Sequence, residues 1–170
     1  MNPATLAIAS DFVQSGIRRA GVPLTHTLEA YLAITFARHI GKAIGVDLLT
    51  VRVSRALEGG APQGAMRALA DECLIACAFF EDRLRRAGSI RHYVGLGQAT
   101  YDAADMTEQA YGFVHMRDVI ASAAESARAE TPVLIERARA GSATARDELA
   151  QENVVIGPWG AAPAKGLLWN

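Results

Sequence analysis

Apolar positions recur three and four residues apart along most of this chain, the spacing of amphipathic helices. Asn2-Pro3 reads as a cap followed by proline at the first helical position, and Leu6, Ala9, Val13 and Gly16 carry that helix toward Gly21. A second helix, about Leu24 to Ile44, places Leu28, Leu32, Thr35 and His39 on one face, with Tyr31, Phe36 and Ile40 widening it. Asp47 is expected to cap a third helix through Leu57, which Gly59-Gly60-Ala61-Pro62 breaks. From about Gln63 to Arg86 a single helix is expected, apolar on every side between Cys73 and Phe80 and therefore buried.

Gly88 closes that helix and Ser89 caps the next, about Ile90 to Ala104, where Tyr93, Gly97 and Tyr101 share a face. Gly97 between two tyrosines predicts the close approach of another backbone. Asp105 and Glu108 read as a capping box for a helix to about Ala129, with Phe113, Ile120 and Ala124 inward. Thr131-Pro132 starts a short helix, and Gly141-Ser142 starts another that ends near Asn153. The expected fold is all-α: a single-domain bundle of six or seven helices over 1–153 around the central helix 63–86, with an irregular apolar tail over 154–170 that holds Trp159 and Trp169.

Composition narrows the function classes. The 170 residues are 51% hydrophobic and 21% charged, enough apolar material for a real core. Net charge is −1, so no basic excess invites nucleic acid or an acidic membrane surface. The longest apolar run, Cys73 to Phe80, is far short of the roughly 20 residues that span a bilayer. No basic stretch precedes an apolar one near Met1, and a cytoplasmic location is expected.

Specific chemistries fare poorly. A carboxylate-bridged metal site needs Glu-x-x-His pairs, and the sequence has none. Asp71 and Asp82 share a helical face but stand about 16 Å apart along it. Cys73 and Cys77 lie in the most apolar segment, where cysteine acts as a small hydrophobe. Val94-Gly-Leu-Gly-Gln-Ala-Thr100 imitates a dinucleotide fingerprint, but no strand precedes it. Neither a metal nor a cofactor is expected. Arg67 with Asp71, Glu81 with Arg85, and Asp82 with Arg86 read as ion pairs one turn apart.

Two places remain as ligand sites. Arg83, Arg85, Arg86, Arg91 and His92 cluster around the Gly88 turn, where the helix start at Ser89 would assist an anion. A pocket between the helices near 28–40 and 90–104 would offer His39, Tyr93 and Tyr101 as polar groups.

Asp71 ahead of an apolar run, Phe79-Phe80, Glu81, Arg85-Arg86, Tyr93, and Gly97 to Tyr101 form a pattern that resembles a family of uncharacterised proteobacterial helical proteins. AYGFVHMRDVI and GSATARDELA extend the resemblance over most of the chain, although no proline follows the Phe-Phe pair. It implies a cytosolic all-helical domain of bacterial origin and brings no known activity. The leading functional expectation is a non-enzymatic domain that acts by association, most simply as a homodimer through the apolar tail. The alternative is a small-molecule or anion binder, or an enzyme whose site has no local motif, drawing on His39, Arg86, Arg91, His92, Tyr93 and Tyr101.

Overall fold

The structure, a computed structural model, describes residues 2–140, 142–146, 154–157 and 160–163. Seven α-helices of the described residues follow in order: α1 Pro3–Ala20, α2 His26–His39, α3 Leu49–Glu58, α4 Gln63–Phe79, α5 Glu81–Ala87, α6 Ile90–Ala103 and α7 Thr107–Arg139. A 3-10 turn, Val46–Leu48, leads into α3. The chain is all-α in class, as its periodicity predicts, and forms two compact units, Met1–Ala124 and Glu125–Asn170.

The first unit is organised on α4, which packs against α2, α3, α5 and, most extensively, α6. Cys73 to Ala78 are buried without a gap. Both cysteines are free, and burial pushes the Cys73 thiol up and that of Cys77 up to about 12, so neither is a ready nucleophile. Phe113, Ile120 and Ala124 of α7 point inward as the spacing requires.

Helix starts follow their caps. Asn2 Oδ1 accepts from the Ala4 N–H at 3.0 Å, Thr25 Oγ1 from Leu28 N–H at 3.2 Å and Ser89 Oγ from Arg91 N–H at 3.3 Å. Gly21, at φ 63°, ends α1 in the left-handed conformation that side chains disfavour.

Several local expectations are corrected. The helix expected over 63–86 breaks at Phe80, whose φ −119° and ψ 29° leave the helical region. Phe79 stacks with Phe36 at 6.0 Å and Phe12 at 6.5 Å, tying the end of α4 to α1 and α2, and α5 restarts on Glu81 and Asp82. Acids in a first turn are themselves a helix-start signal. The second helix ends at His39 rather than Ile44, because Gly41 at φ 74° takes the stop assigned to Gly45. Asp47 caps nothing; its carboxylate pairs with Arg83 at 2.5 Å.

The capping box at 105–108 does not form. Asp105 sits at φ 55° in the link between α6 and α7 and accepts from Gln63 Nε2, while Glu108 accepts from Thr25 Oγ1 at 2.6 Å. Gly97 admits the Phe113 ring rather than a backbone: a Cβ there would lie 2.2 Å from Phe113 Cε2. The close backbone approach occurs at Gly16 instead, where a Cβ would lie 2.2 Å from the Val119 carbonyl oxygen.

In the second unit α7 runs on through Thr131-Pro132, so no new helix starts there. One missing N–H costs a single hydrogen-bond rung, which a helix of 33 residues absorbs. Ser142 Oγ accepts from the Ala145 N–H at 3.3 Å and starts a helical turn over 143–146. Its expected end near Asn153 lies outside the described residues, as do Trp159 and Trp169. Within the stretch expected to be irregular, β1 Val154–Gly157 and β2 Gly160–Pro163 pair antiparallel, with Val154 opposite Pro163 and Gly157 opposite Gly160. Val154, Val155 and Ile156 are branched at Cβ and favour such a strand.

Candidate functional site

The polar half of α4 carries the site. Arg67 and Asp71 are one turn apart on one face, and the helix buries that face against α2 and α6. Asp71 is only 3% exposed. Its Oδ1 accepts two buried hydroxyls, Tyr31 O–H from α2 and Tyr101 O–H from α6, the latter at 2.8 Å. The two rings meet edge to face at 6.0 Å, and Phe113 meets Tyr101 in the same way at 6.1 Å.

Asp71 Oδ2 accepts no hydrogen bond from the described residues. It faces Arg67 Nε across 3.9 Å, too far for a hydrogen bond. That Nε is itself buried and without a hydrogen-bond partner among the described residues. The Arg67 guanidinium is held over the Tyr31 ring, 4.9 Å from its centroid. Desolvation raises the Asp71 carboxyl above its ordinary value, although the two tyrosine bonds and the positive charge of Arg67 and His39 pull the other way. Burial also pushes the Tyr31 hydroxyl up to about 12, with the Asp71 charge adding to the effect, and burial likewise raises Tyr101 well above its ordinary value. Both tyrosines are therefore proton donors to Asp71 throughout the neutral range.

A cleft of about 270 Å³ opens above this pair. Its walls include Arg38, His39 and Lys42 from the end of α2 and beyond, and Arg67, Asp71 and Glu72 from α4. Glu72 is already taken, gripped by both terminal nitrogens of Arg52 at 2.5 and 2.9 Å. Arg38 and Lys42 have no ion-pair partner among the described residues. His39 Nδ1–H donates to the Thr35 carbonyl at 2.8 Å, which leaves Nε2 as the ring nitrogen without a hydrogen-bond partner among the described residues. A second cleft, between α1 and α2, holds His26 and Glu29, but Gln14 Nε2 already donates to that glutamate.

Of the residues singled out from sequence, His39 lines the cleft above Asp71 and Tyr101 lies beneath it. The wall facing α2 is α4, so the pocket does not run between the 28–40 and 90–104 helices. Tyr93 is buried and the His92 ring meets it edge to face at 5.2 Å. His92 Nε2 stands 3.3 Å from Thr50 Oγ1. Arg86 and Arg91 are exposed and do not line the cleft. The basic turn is half neutralised: Arg83 pairs with Asp47 and Arg85 with Glu81, each at 2.5 Å. Asp82 and Arg86 form no ion pair among the described residues.

Sequence reasoning read Asp71 as one half of an ion pair and Tyr31 as apolar surface, and it named neither of them, nor Arg38 or Lys42, as a ligand residue. One signal was present: an acid flanked by apolar residues on a helix otherwise apolar all round must find buried donors. Among the described residues no cluster of three or more histidine, cysteine or carboxylate side chains is disposed to hold a metal. Among them, too, no helix is long and apolar enough to cross a membrane. No protein-family model matches the chain, and neither a curated protein nor a solved structure does.

Proposed function

We propose that this protein binds a small anionic molecule in the cleft between the end of α2 and the start of α4. The observation that carries the reading is the gathering of Arg38, Lys42 and Arg67, without ion-pair partners at hydrogen-bond distance, around a cleft floored by a buried carboxylate. Arg38 and Lys42 have no ion-pair partner among the described residues, and cations grouped in one concavity raise the local concentration of anions. The resemblance to uncharacterised bacterial helical proteins brings no activity, so the cleft alone supports the assignment.

Thermal shift with phosphate, acetate and glutarate tests it. The melting temperature should rise for at least one of these with the wild type, and the rise should vanish in Arg38→Ala/Lys42→Ala. If none shifts the wild type, this assignment fails. A second reading, association as a homodimer, is favoured by Leu48 and Val51, exposed at 62% and 45% around the start of α3. Light scattering should then show a dimer that Leu48→Asp weakens. A monomer at every concentration would sink that reading.

A further inference from the structure

We infer that the ligand of this cleft is an acidic α-amino acid, bound with its ammonium on Asp71 Oδ2, its α-carboxylate on Arg67 and its side-chain carboxylate toward Arg38 and Lys42. This rests on the anion-binding reading above and adds what that reading lacks, a partner for the carboxylate in the floor.

The floor of the cleft is incomplete in two complementary ways. Arg67 Nε is a buried donor with no acceptor among the described residues. Asp71 Oδ2 accepts no hydrogen bond from the described residues, both tyrosine hydroxyls going to Oδ1. Buried polar groups are nearly always paired, and the cost of an unpaired one is largest for a charge. A ligand that supplies an acceptor to one atom and a donor to the other completes both at once.

The spacing selects among such ligands. The two protein atoms stand 3.9 Å apart. A lactam or nucleobase edge holds its oxygen and nitrogen about 2.2 Å apart, from standard amide bond lengths. An α-amino acid holds its ammonium nitrogen and the farther carboxylate oxygen about 3.6 Å apart by the same bond lengths. Near-parallel hydrogen bonds to Arg67 and Asp71 therefore suit the amino acid. A charged ammonium also offsets the carboxylate charge, which a neutral amide edge does not.

The rim sets the side chain. Arg38 and Lys42 remain after Arg67 and Asp71 are engaged, and they call for a second carboxylate. At about 270 Å³ the cleft falls below the roughly 300 Å³ at which pockets for drug-sized ligands begin, so a single amino acid suits it better than a nucleotide.

Calorimetric titration of the full chain with L-glutamate, glutarate, glutamate α-amide and pyroglutamate is the test. Glutamate should bind at least tenfold more tightly than each of the other three. Glutarate lacks the ammonium, the amide lacks the α-carboxylate, and pyroglutamate presents a lactam edge. In Asp71→Asn, checked for its helical circular dichroism, glutamate should fall to the level of glutarate. If glutarate or pyroglutamate equals glutamate on the wild type, the amino-acid assignment is overturned while anion binding stands. Binding of phosphate alone has the same consequence. If none of these probes binds, both assignments fall.

Discussion

Two basic regions of this molecule look alike in sequence and differ in space. The turn around Gly88 gathers Arg83, Arg85, Arg86, Arg91 and His92 within ten residues. The cleft draws its cations from Arg38, Lys42 and Arg67, spread over thirty. In the turn, Asp47 and Glu81 neutralise two arginines, and the side chains lie largely in water. In the cleft the cations surround a carboxylate that is 3% exposed and takes its hydrogen bonds from tyrosines rather than from them. Charge density along the chain thus marks a solvated helix end, whereas convergence from separate helices marks the candidate site. The dielectric decides the difference: an exposed pair is worth little, and a buried charge is worth several kcal/mol to whatever satisfies it.

Removing Asp71 is the most disruptive way to break this contrast. Asp71→Ala leaves the buried hydroxyls of Tyr31 and Tyr101 without their acceptor and strips Arg67 of its nearest counter-charge. Breaking such a network should lower unfolding free energy by about 3–5 kcal/mol in urea titration. Asp71→Asn keeps an oxygen that can accept both hydroxyls and should cost far less. Equal losses for the two variants would show that the hydroxyl bonds are not what Asp71 provides. Tyr101→Phe comes next. It deletes one charge-assisted bond, worth about 1.5–3 kcal/mol, while keeping the ring that meets Tyr31 and Phe113. A loss under about 0.5 kcal/mol would separate Tyr101 from the network.

Much of the bundle could be read from the chain. The period of apolar residues, the caps at Asn2 and Ser89 and the stop at Gly21 are local features, and local features decide them. The misses share another cause. Phe80 ends α4 where Phe79 stacks with Phe12 and Phe36, residues more than forty positions away. Asp47 and Glu108 abandon predicted caps for Arg83 and Thr25, partners that only the fold supplies. The site was legible only in part. His39 and Tyr101 stood out as polar groups on apolar faces, but Asp71 had an obvious partner at Arg67 one turn away. That pairing exists at 3.9 Å, and the hydroxyls that hold the carboxylate come from thirty and forty residues away.

Titration sharpens the same contrast at smaller amplitude. Burial raises Asp71 above its ordinary value, so the folded state binds its proton more readily than the unfolded chain does. Stability from a raised group is fully present below its unfolded value and is lost as pH rises through the folded one. Wild type should therefore gain stability relative to Asp71→Asn as pH falls from neutral toward about 4, the ordinary carboxylate range. Urea midpoints of the two proteins across that window measure the difference. A pH-independent difference would mean that Asp71 titrates as though exposed.

The smallest effect belongs to the basic turn, and it is the control for the comparison. Arg85 meets Glu81 at 2.5 Å one turn away on α5, yet its side chain is 61% exposed and that of Glu81 38%. Water screens the attraction, and ordering two long side chains opposes it. A double-mutant cycle with Arg85→Ala and Glu81→Ala should return a coupling of about 0.3–0.5 kcal/mol that fades as salt is added. Arg85→Ala alone should leave the thermal shift by glutarate unchanged, because Arg85 does not line the cleft. A coupling above about 1.5 kcal/mol would place the turn in the energetic class of the buried network. Loss of the glutarate response in Arg85→Ala would move the anion site from the cleft to the turn, where the arginines are densest in the sequence.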